Sequence, residues 1–414
     1  MKITKIKNKE NILEMMNNNN VFIFTSTRAD YGLQRWIIKE MQNSNEFNTY
    51  IIAGGTHLSE EYGNTIEEIL KDDIKNIIKV PFLNKSLDAS SLTSSIGNGL
   101  IQITQIFNTY KPDFIVLLGD RYELFIMAIT ALLYQVPIIH LHGGENTTGV
   151  IDEQVRHAIT KMAHIHMPST ELYAENISKM GEEDWRIHIV GAPGLENIKK
   201  LESYKKEEIL KLTGINVNKN TIICTYHPVT LEGEDSVRWQ IINLLEALSK
   251  FDLQIVFTRP NAEVGSDEIA NMIKKFVDNN SKAYFFDSLG SKLYLSLLKY
   301  VKAVVGNSSS GIIEAPSFLI PTVNIGNRQE GRLQPESVIQ TGYSVNEICK
   351  GIEKALYDTE FLKKIKKIKN PYGDGNSSKY VIKAMKEILK IPKEKLLKKR
   401  LDFEVKKDER HKYF

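Results

Sequence analysis

The residues best suited to chemistry are concentrated in one stretch, from His140 to Arg156. It opens with the segment His140 to Glu145, which holds two histidines, two glycines and a glutamate. Asp152 and Arg156 follow, and their spacing of four residues places them on one face of a predicted helix. Imidazole and carboxylate groups are the usual acid–base catalysts near neutral pH. The stretch predicts proton-transfer chemistry; the alternative is a capped strand end followed by an ordinary intrahelical ion pair.

Two further candidates follow predicted strands elsewhere in the chain. Asp120 comes after the apolar segment 114–118 and a glycine, and His227 comes soon after the apolar segment 222–225. In open α/β sheets, ligands bind outside the carboxyl ends of the strands, so both side chains are placed for catalysis. The alternative for Asp120 is an N-cap of the helix that we predict from residue 123.

Residues 307–311, with the sequence NSSSG, form a candidate phosphate-binding loop. Three hydroxyls and a glycine precede a predicted helix, whose first backbone N–H groups also lack intrahelical partners. Glu314 lies one turn later and is able to accept hydrogen bonds from ribose hydroxyls. Arg328 and Arg332 follow the next predicted strand and are placed to contact the same phosphates. The alternative is a plain serine N-cap, which requires one serine rather than three.

The turn at residues 25–32 is a second candidate anion site. It contains Arg28 and Asp30 between a predicted strand and a predicted helix. A helix N-terminus with a nearby arginine suits a phosphate group. An arginine that simply caps the loop is an equally good explanation.

Predicted strands and helices alternate along the chain, which is typical of parallel βαβ units. The last two strands of the first half are predicted at 164–167 and 187–190. The pattern lapses in a lysine-rich segment and then restarts, so we predict an α/β protein of two doubly wound, Rossmann-type domains that face a central cleft. We place the domains at 21–195 and 196–375. Residues 1–20 are a predicted disordered extension, and 376–414 a helix and basic tail that packs back toward the first domain.

Composition excludes several classes of protein. Hydrophobic residues make up 42% of the chain, charged residues 25%, and the net charge is only +3, which argues against a nucleic-acid partner. Cys224 and Cys349 provide no disulfide framework and fit a reducing cytoplasm. We find no apolar run long enough to span a membrane. His164 and His166 alternate along a predicted strand, but no third ligand stands out, so we predict no metal site.

Several of these motifs together resemble the UDP-N-acetylglucosamine 2-epimerase family, from about residue 21 to about residue 390. The resemblance is strongest to the hydrolysing branch, which includes bacterial enzymes of sialic-acid and legionaminic-acid synthesis. Non-hydrolysing members carry an alanine-glycine-leucine-arginine type of sequence in place of residues 143–145. The matching phrases, all in family order, are TSTRADYG, LGDRYE, HLHGGE, IDEQVRHAITKMAHIH, HPVT, GNSSSGIIEAP, GNRQEGR and PYGDG.

The resemblance implies a GT-B-like fold, often dimeric, and a cytoplasmic hydrolysing 2-epimerase that needs no cofactor. UDP-N-acetylglucosamine, or a close relative, and water would become N-acetylmannosamine and UDP, for the synthesis of sialic-type acids. The C2 proton is removed, UDP is eliminated to leave a glycal, and water adds with inversion at C2. The alternative substrate is UDP- or GDP-N,N'-diacetylbacillosamine. More remote alternatives are a GT-B glycosyltransferase and a nucleotide-sugar sensor without catalytic activity.

The resemblance also implies roles for individual residues. Several family members have a carboxylate where this chain has His142, so the base that removes the C2 proton is Asp120, His142 or Glu145. The expected catalytic residues are Asp120, His142, Glu145, Asp152, Arg156 and His227. The expected nucleotide-sugar-binding residues are Arg28, His57, Asn261, Asn307, Ser308, Ser309, Ser310, Glu314, Arg328 and Arg332.

Overall fold

The computed structural model divides into two compact units. The first unit takes the chain up to Gly144, then Val155–Val190, then the chain from Ser378 onward. The second unit takes Glu145–Gln154 and Gly191–Ser377. The main part of the second unit therefore begins at Gly191 and ends at Ser377. The residues described are 19–61, 63–84, 86, 88–146, 151–229, 234–260 and 265–402.

Six parallel strands form the sheet of the first unit. They are β1 (Asn19–Thr25), β2 (Phe47–Ala53), β3 (Ile77–Lys79), β4 (Phe114–Leu118), β5 (Ile138–Leu141) and β6 (Ile165–Met167). Their order is β3-β2-β1-β4-β5-β6, so the direction of winding reverses between β1 and β4. This reversal is the topological switch point, beside which ligands bind in doubly wound sheets. The turns after β1 and β4 are therefore the candidate ligand-binding turns of this unit.

Helices cover both faces of this sheet, as a parallel sheet of apolar strands requires. Ile37 and Met41 of the first helix pack on one face, whereas Phe107 and Met127 of the third and fourth helices pack on the other. The helices are α1 (Arg28–Gln42), α2 (Ile66–Lys71), α3 (Ala89–Tyr110), α4 (Leu124–Leu133), α5 (Ile151–Met162) and α6 (Glu171–Lys179).

One strand predicted in this unit is wrong. Residues 187–190 form no strand; only Ile187 makes a single parallel bridge, to His166. A 3₁₀ turn, Asp184–Arg186, immediately precedes this segment. Because its apolar pattern is the same as that of a buried strand, the pattern could not show that it lacks a paired partner.

The second unit repeats the same topology. Its strands are β7 (Thr221–Thr225), β8 (Gln254–Thr258), β9 (Ala283–Phe286), β10 (Ala303–Gly306), β11 (Thr322–Ile325) and β12 (Val338–Thr341). Their order is β12-β11-β10-β7-β8-β9, and every adjacent pair is parallel. The switch point of this sheet therefore lies between β7 and β10.

Among the described residues, eight helices lie wholly in the second unit. The helix after β10 is short, at four residues, and is continued by a 3₁₀ turn. They are α7 (Glu196–Lys200), α8 (Lys206–Thr213), α9 (Glu234–Ser249), α10 (Ser266–Asp278), α11 (Gly290–Leu298), α12 (Ser310–Ile313), α13 (Val345–Tyr357) and α14 (Thr359–Ile365).

The chain then returns to the first unit through α15 (Ser377–Ile388) and α16 (Lys393–Leu397). Val381, Met385 and Ile388 are completely buried and belong to the same apolar core as β1 and α1. Within the described part of the chain, no helix has the length and apolar character needed to cross a bilayer.

Candidate active site

Asp30 determines the shape of the turn after β1. Its carboxylate accepts hydrogen bonds from the backbone N–H groups of Ser26 at 2.9 Å and Thr27 at 3.1 Å. It also accepts from the hydroxyls of Ser26, at 3.0 Å, and Thr25. Thr27 in turn caps α1 by accepting from the Asp30 N–H at 3.3 Å. A buried carboxylate with this many donors holds the turn in one conformation.

His57 supports the same turn from the 3₁₀ turn after β2. Its ring is completely buried and forms hydrogen bonds with the hydroxyls of Thr25 at 2.9 Å and Thr65 at 2.8 Å. Burial lowers the pKa of His57, although the nearby Asp30 carboxylate opposes that shift. The structure thus places this predicted substrate-binding residue behind the turn, where its side chain positions Thr25.

Arg28 begins α1 and is the exposed cation of this turn. Its side chain is 51% exposed and forms an ion pair with Glu68 at 2.8 Å. Exposed ion pairs contribute little free energy. The guanidinium can therefore exchange Glu68 for a phosphate group at small cost.

Asp120 follows β4 on the other side of the switch point. Its side chain is 24% exposed and forms an ion pair with Arg156, which is only 3% exposed. Arg156 lies on α5, in the same helix as the half-buried Asp152. A buried guanidinium fixes a carboxylate through directional hydrogen bonds. The structure therefore presents Asp120 as an oriented carboxylate at the end of a central strand.

His140, at the end of the neighbouring strand β5, supports Asp120 from behind. Its Nε2 lies 2.8 Å from the carbonyl oxygen of Gly119, and its Nδ1 lies 3.2 Å from the hydroxyl of Thr160 on α5. Burial lowers the pKa of His140 to about 3, so the ring is neutral and Nε2–H donates to Gly119. No separate function for His140 or Thr160 was predicted from the sequence. The alternation of His140 with His142 along the strand was the available signal.

The two glycines after His142 are required by the local geometry. Gly144 has a φ of +76°, and a Cβ there would lie 2.4 Å from the carbonyl oxygen of Tyr173. A Cβ on Gly143 would lie 2.9 Å from Nδ1 of His140. His142 itself has a φ of +59°, which is uncommon for a non-glycine residue and costs roughly 1–2 kcal/mol. Such conformations are concentrated at functional sites.

Glu145, the last residue of this turn, differs from Asp120 in its surroundings. It is 3% exposed, and by its contacts it belongs to the second unit. His142 is half-buried and belongs to the first unit. The assignment of Asp120, His142 or Glu145 as the base stays a prediction; of the two carboxylates, Asp120 is the more accessible.

In the second unit, Asn307 joins the two strand ends at the switch point. Its Oδ1 accepts from the N–H of His227 at 2.7 Å, and its Nδ2 donates to the carbonyl oxygen of His227 at 2.8 Å. Gly306, just before it, has a φ of +130°, and a Cβ there would lie 1.9 Å from the carbonyl oxygen of Thr225. Both polar atoms of the completely buried Asn307 side chain therefore position His227 and the serine loop.

His227 is a neutral imidazole beside a cation. It is 6% exposed, and its pKa falls to about 3 because burial disfavours the charged ring and the Arg328 charge opposes protonation. Arg328 lies close by, with Nη1 at 3.4 Å from the carbonyl oxygen of Asn307. Gln329, which sequence reasoning missed, donates to the same carbonyl at 2.8 Å. The loop after β11 is thus attached directly to the end of β10.

The serine loop offers one hydroxyl that is ready to bind a ligand. Ser308 Oγ accepts from the N–H of Ser310 at 3.4 Å, and Ser310 Oγ accepts from the hydroxyl of the half-buried Tyr294 at 2.7 Å. Within the described residues the Ser309 side chain makes no hydrogen bond, and it does not cap α12. Glu314, which ends α12, and Arg332 are both half-buried. Asn261, also predicted to bind substrate, lies outside the described residues.

We expect the double substitution Ser309→Ala and Ser310→Ala to weaken UDP binding by roughly 1–3 kcal/mol, because each hydroxyl can donate one hydrogen bond to a charged phosphate. Isothermal titration calorimetry with UDP alone measures the effect. Ser288→Ala is the matched control, since Ser288 is an exposed serine that follows β9, away from the switch point. An unchanged dissociation constant in the double variant would contradict phosphate binding by these serines and favour the alternative, a plain helix cap.

Buried histidines make the fold sensitive to acid. Burial lowers the pKa to about 3 in His140 and His227 and to about 4 in His164 and His166. In the unfolded chain these values return to about 6.5. Between pH 6.5 and pH 4 the unfolded state therefore binds up to roughly four more protons than the folded state. The free energy of unfolding consequently falls as the pH is lowered through this interval.

We therefore expect the midpoint of thermal unfolding, followed by circular dichroism, to fall steeply across this interval. Glu182 contributes only at lower pH, because its hydrogen bonds, including one with His166, outweigh burial and hold its pKa near 2. In the variant His164→Asn the dependence between pH 6.5 and 4.5 should be shallower. A midpoint that does not change with pH in this range would contradict the expectation.

The chain is similar to known proteins over most of its length. The chain matches the UDP-N-acetylglucosamine 2-epimerase family over residues 39–386. The GDP/UDP-N,N'-diacetylbacillosamine 2-epimerase (hydrolyzing) of Campylobacter jejuni is 38% identical, covering 84% of this chain and 89% of its own. The UDP-N,N'-diacetylbacillosamine 2-epimerase (hydrolyzing) of Legionella pneumophila is 34% identical, covering 89% and 96%. Polysialic acid biosynthesis protein P7 of Escherichia coli is 35% identical, covering 89% and 94%.

The protein belongs to the UDP-N-acetylglucosamine 2-epimerase family, and its similarity is to the hydrolysing branch, which confirms the family resemblance drawn from the sequence motifs. Among solved structures, the S. aureus MnaA–UDP co-structure matches with a TM-score of 0.73 at 18% identity. The match covers 93% of this chain and 100% of that chain. It confirms the predicted fold class, a GT-B-like α/β protein with two Rossmann-type domains.

Proposed function

We propose that the protein is a hydrolysing 2-epimerase of a nucleotide-linked N,N'-diacetylbacillosamine. The products are the sugar with the manno configuration at C2 and a nucleoside diphosphate. The observation that supports this substrate is the similarity to two relatives whose names include it. They are 38% and 34% identical to this chain, and each match covers most of this chain and of the relative. It supports the alternative substrate of the sequence analysis better than UDP-N-acetylglucosamine.

The turn after β5 supports hydrolysis over simple epimerisation. The sequence Gly143-Gly144-Glu145 is that of the hydrolysing branch, and the structure leaves little room for a side chain at either glycine. A side chain at Gly144 would collide with the Tyr173 carbonyl, and one at Gly143 would press on His140. An alanine at position 143, which the non-hydrolysing type of sequence carries, would require the His140 ring to shift.

The first step removes the C2 proton and expels the diphosphate. We assign the acceptance of this proton to Asp120, with His142 and Glu145 as the other candidates, and the ion pair of Asp120 with the buried Arg156 supports this assignment. The electrons of the C2–H bond form the C1–C2 double bond as the C1–O bond to the diphosphate breaks. Because a C2 proton is only weakly acidic, a well-placed base and a stabilised leaving group are both needed.

The second unit supplies leaving-group stabilisation. The Ser309 hydroxyl and the Arg328 guanidinium are donors beside the switch point, and anions bind readily to such donor sets. His227 is neutral when no ligand is bound, so it provides one N–H donor without the repulsion that a second cation would add near Arg328. Arg28, an exposed cation of the first unit, is the further diphosphate ligand that we propose.

The second step adds water across the double bond of the glycal. The water oxygen bonds to C1 and a proton is delivered to C2 on the face that gives the manno configuration. The base is regenerated when the proton it removed is released. The net reaction consumes one water and one nucleotide sugar, and requires no redox change.

Proton NMR of the product formed in D2O tests this reaction. The released sugar should carry deuterium at C2 and have the manno configuration. A hydrolase or slow glycosyltransferase breaks only the anomeric bond and gives a gluco sugar with protium at C2, while a sensor gives no sugar. Retention of the original C2 hydrogen in a free product would defeat the elimination mechanism.

A substrate panel tests the sugar. UDP- and GDP-N,N'-diacetylbacillosamine are compared with UDP-N-acetylglucosamine by kcat/KM for diphosphate release. We expect a diacetylbacillosamine nucleotide to be preferred by 10-fold or more, on the scale of a few altered pocket contacts. A preference for UDP-N-acetylglucosamine would contradict the proposed sugar and support the substrate first expected from the sequence. The proposed reaction type would not be affected.

A further inference from the structure

The second unit contains an open cavity that the candidate active site does not use. Its volume is about 760 Å³, and small-molecule sites in proteins have roughly 300–1,000 Å³. Residues 333–336, between Arg332 and β12, line one wall. Residues from 360–371, at the end of α14 and in the chain that follows it, line the other. We call this space the α14 cavity. The described residues that line it do not include the serine loop.

The rim of the α14 cavity is basic. Four lysines and two glutamates line it, which gives a net charge of +2. Lys363 and Lys364 lie in the last turn of α14, where cations stabilise the end of a helix. Lys367 and Lys369 lie beyond the helix and are exposed. Within the part of the chain that the structure describes, their ammonium groups form no ion pair or hydrogen bond. Both are therefore available to an anionic ligand.

One ion pair crosses the α14 cavity. The Lys364 ammonium lies 2.7 Å from the carboxylate of Glu336 on the opposite wall, and both side chains are exposed. Lys363 pairs with Glu360 of its own helix at 2.8 Å, and these side chains are also exposed. Exposed ion pairs contribute little free energy, so an anionic ligand can replace either carboxylate at small cost. The Glu336 carboxylate occupies the position that we expect a phosphate group of the ligand to take.

The walls of the α14 cavity also present apolar surface. Pro335 is buried, Leu333 and Ile368 are half-buried, and Pro371 is exposed. An inorganic anion has no apolar part that could cover these side chains, whereas an organic molecule gains free energy by removing them from water. Lysine binds phosphate groups as a point charge. The combination therefore suits an organic molecule that carries phosphate.

Hydrogen bonds hold both walls in place. Tyr372 is completely buried, and its hydroxyl donates to the carbonyl oxygen of Leu333 at 2.8 Å, which joins one wall to the other. Asn370 donates to the carbonyl oxygen of Ile313, the last residue of α12, and to the hydroxyl of Ser317, both at 2.8 Å. The backbone of the cavity is thus fixed before a ligand binds, which keeps the entropic cost of binding small.

We propose that the α14 cavity binds a small phosphorylated organic molecule, with phosphate at Lys364, Lys367 and Lys369 and the organic part against the apolar side chains. Sugar phosphates and nucleotides share this chemistry. A nucleic acid fits less well, because it needs a wider basic surface and the net charge of the chain is only +3. The proposal does not depend on which reaction the protein catalyses.

The test is isothermal titration calorimetry of the full chain with fructose 1,6-bisphosphate, ATP and inorganic sulfate. At least one of the two organic phosphates should bind roughly 10-fold or more tightly than sulfate, which leaves the apolar side chains uncovered. The tighter of the two identifies the organic part, and either result supports the site. Sulfate that binds as tightly as both would overturn the proposal, as would a native chain that binds neither organic phosphate.

The double variant Lys367→Glu and Lys369→Glu should weaken binding of the organic phosphate by roughly 10-fold or more, because repulsion replaces two charge-assisted contacts. Both positions are exposed, so the circular dichroism spectrum should be native. Glu336→Gln should instead tighten binding by roughly 2- to 5-fold, since Lys364 loses its competing carboxylate. Unchanged affinity in the lysine variant would contradict the proposal.

Two controls locate the binding. Lys211→Glu with Lys275→Glu makes the same change of charge on exposed lysines of α8 and α10, and should leave the affinity near native. The variant Ser309→Ala with Ser310→Ala should bind fructose 1,6-bisphosphate as the native chain does. Equal losses in the two lysine variants would mean that only the overall charge matters and would overturn the proposal. A loss in the serine variant alone would place the ligand at the serine loop, which also overturns it.

Discussion

Asp120→Asn should lower turnover by roughly two or more orders of magnitude, the scale of lost acid–base catalysis. The asparagine keeps the shape of the side chain and can still accept a hydrogen bond from Arg156, but its amide cannot accept the C2 proton. Folding should not suffer, because Asp120 is partly exposed and ends a strand rather than packing in the core. The measurement is the rate of nucleoside diphosphate release, paired with calorimetry of UDP binding, which should stay near native.

Asp287→Asn is the matched control for this substitution. Asp287 also follows a strand directly, β9 of the second unit, but its side chain is 65% exposed and pairs with Arg259 at 2.8 Å. Turnover should be native in this variant. Near-native turnover in Asp120→Asn would remove Asp120 from the catalytic residues and leave His142 or Glu145 as the base.

The sequence predicted the strand ends well because they depend on local patterns. The apolar segments before Asp120, His142 and His227 are short, continuous and followed by glycine or proline, which is sufficient to predict a buried strand and its end. Two doubly wound sheets followed from the alternation of such segments with helices. The strand order then brings the turns after β1 and β4, and those after β7 and β10, to the two switch points.

The partners of these residues could not be predicted in the same way. Arg156 has a carboxylate four residues earlier in the sequence, yet the structure pairs it with Asp120, 36 residues away. Asn307 was expected to contact substrate, but both of its side-chain atoms bind the backbone of His227, 80 residues away. Such contacts depend on strand order, which one sequence does not reveal. The short edge strands β3 and β12 were not predicted for a different reason. Three or four residues that are not fully buried form too weak a hydrophobic pattern.

Arg186 is a further residue with no signal in the sequence. It is completely buried, with Nε at 2.8 Å from Glu183 and Nη1 at 3.1 Å from the carbonyl oxygen of His164. It also donates to the carbonyl oxygens of Leu396 at 2.9 Å and Lys398 at 3.0 Å, which lie at the end of α16. A cation that binds the last carbonyls of a helix stabilises that end. One guanidinium thereby anchors the C-terminal segment to the first unit.

The anchored segment also reaches α5. The Lys399 ammonium donates to the carbonyl oxygens of Lys161 at 2.8 Å and Ala163 at 2.6 Å, where α5 ends. It also pairs with the buried Glu182 at 2.7 Å. Arg156 lies on the same helix. The position of the C-terminal segment is therefore coupled physically to the helix that orients Asp120.

Arg186→Met should destabilise the first unit by roughly 3–5 kcal/mol, because methionine fills part of the volume but leaves several carbonyl oxygens without their donor and leaves Glu183 without its buried cation. Urea unfolding followed by tryptophan fluorescence measures this. In a Trp239→Phe background the two remaining tryptophans, Trp36 and Trp185, both lie in the first unit and report on it alone.

The control for this loss is Arg400→Met. Arg400 pairs with the same Glu183, at 3.3 Å, but its side chain is 77% exposed, so its removal should leave the midpoint close to native. The two variants delete the same charge opposite the same carboxylate, and they differ in burial and in the carbonyl oxygens that only Arg186 binds. Equal stability of the two would mean that the contacts between Arg186 and α16 contribute little, and that the apolar side chains of α15 alone hold the returning chain on the first unit.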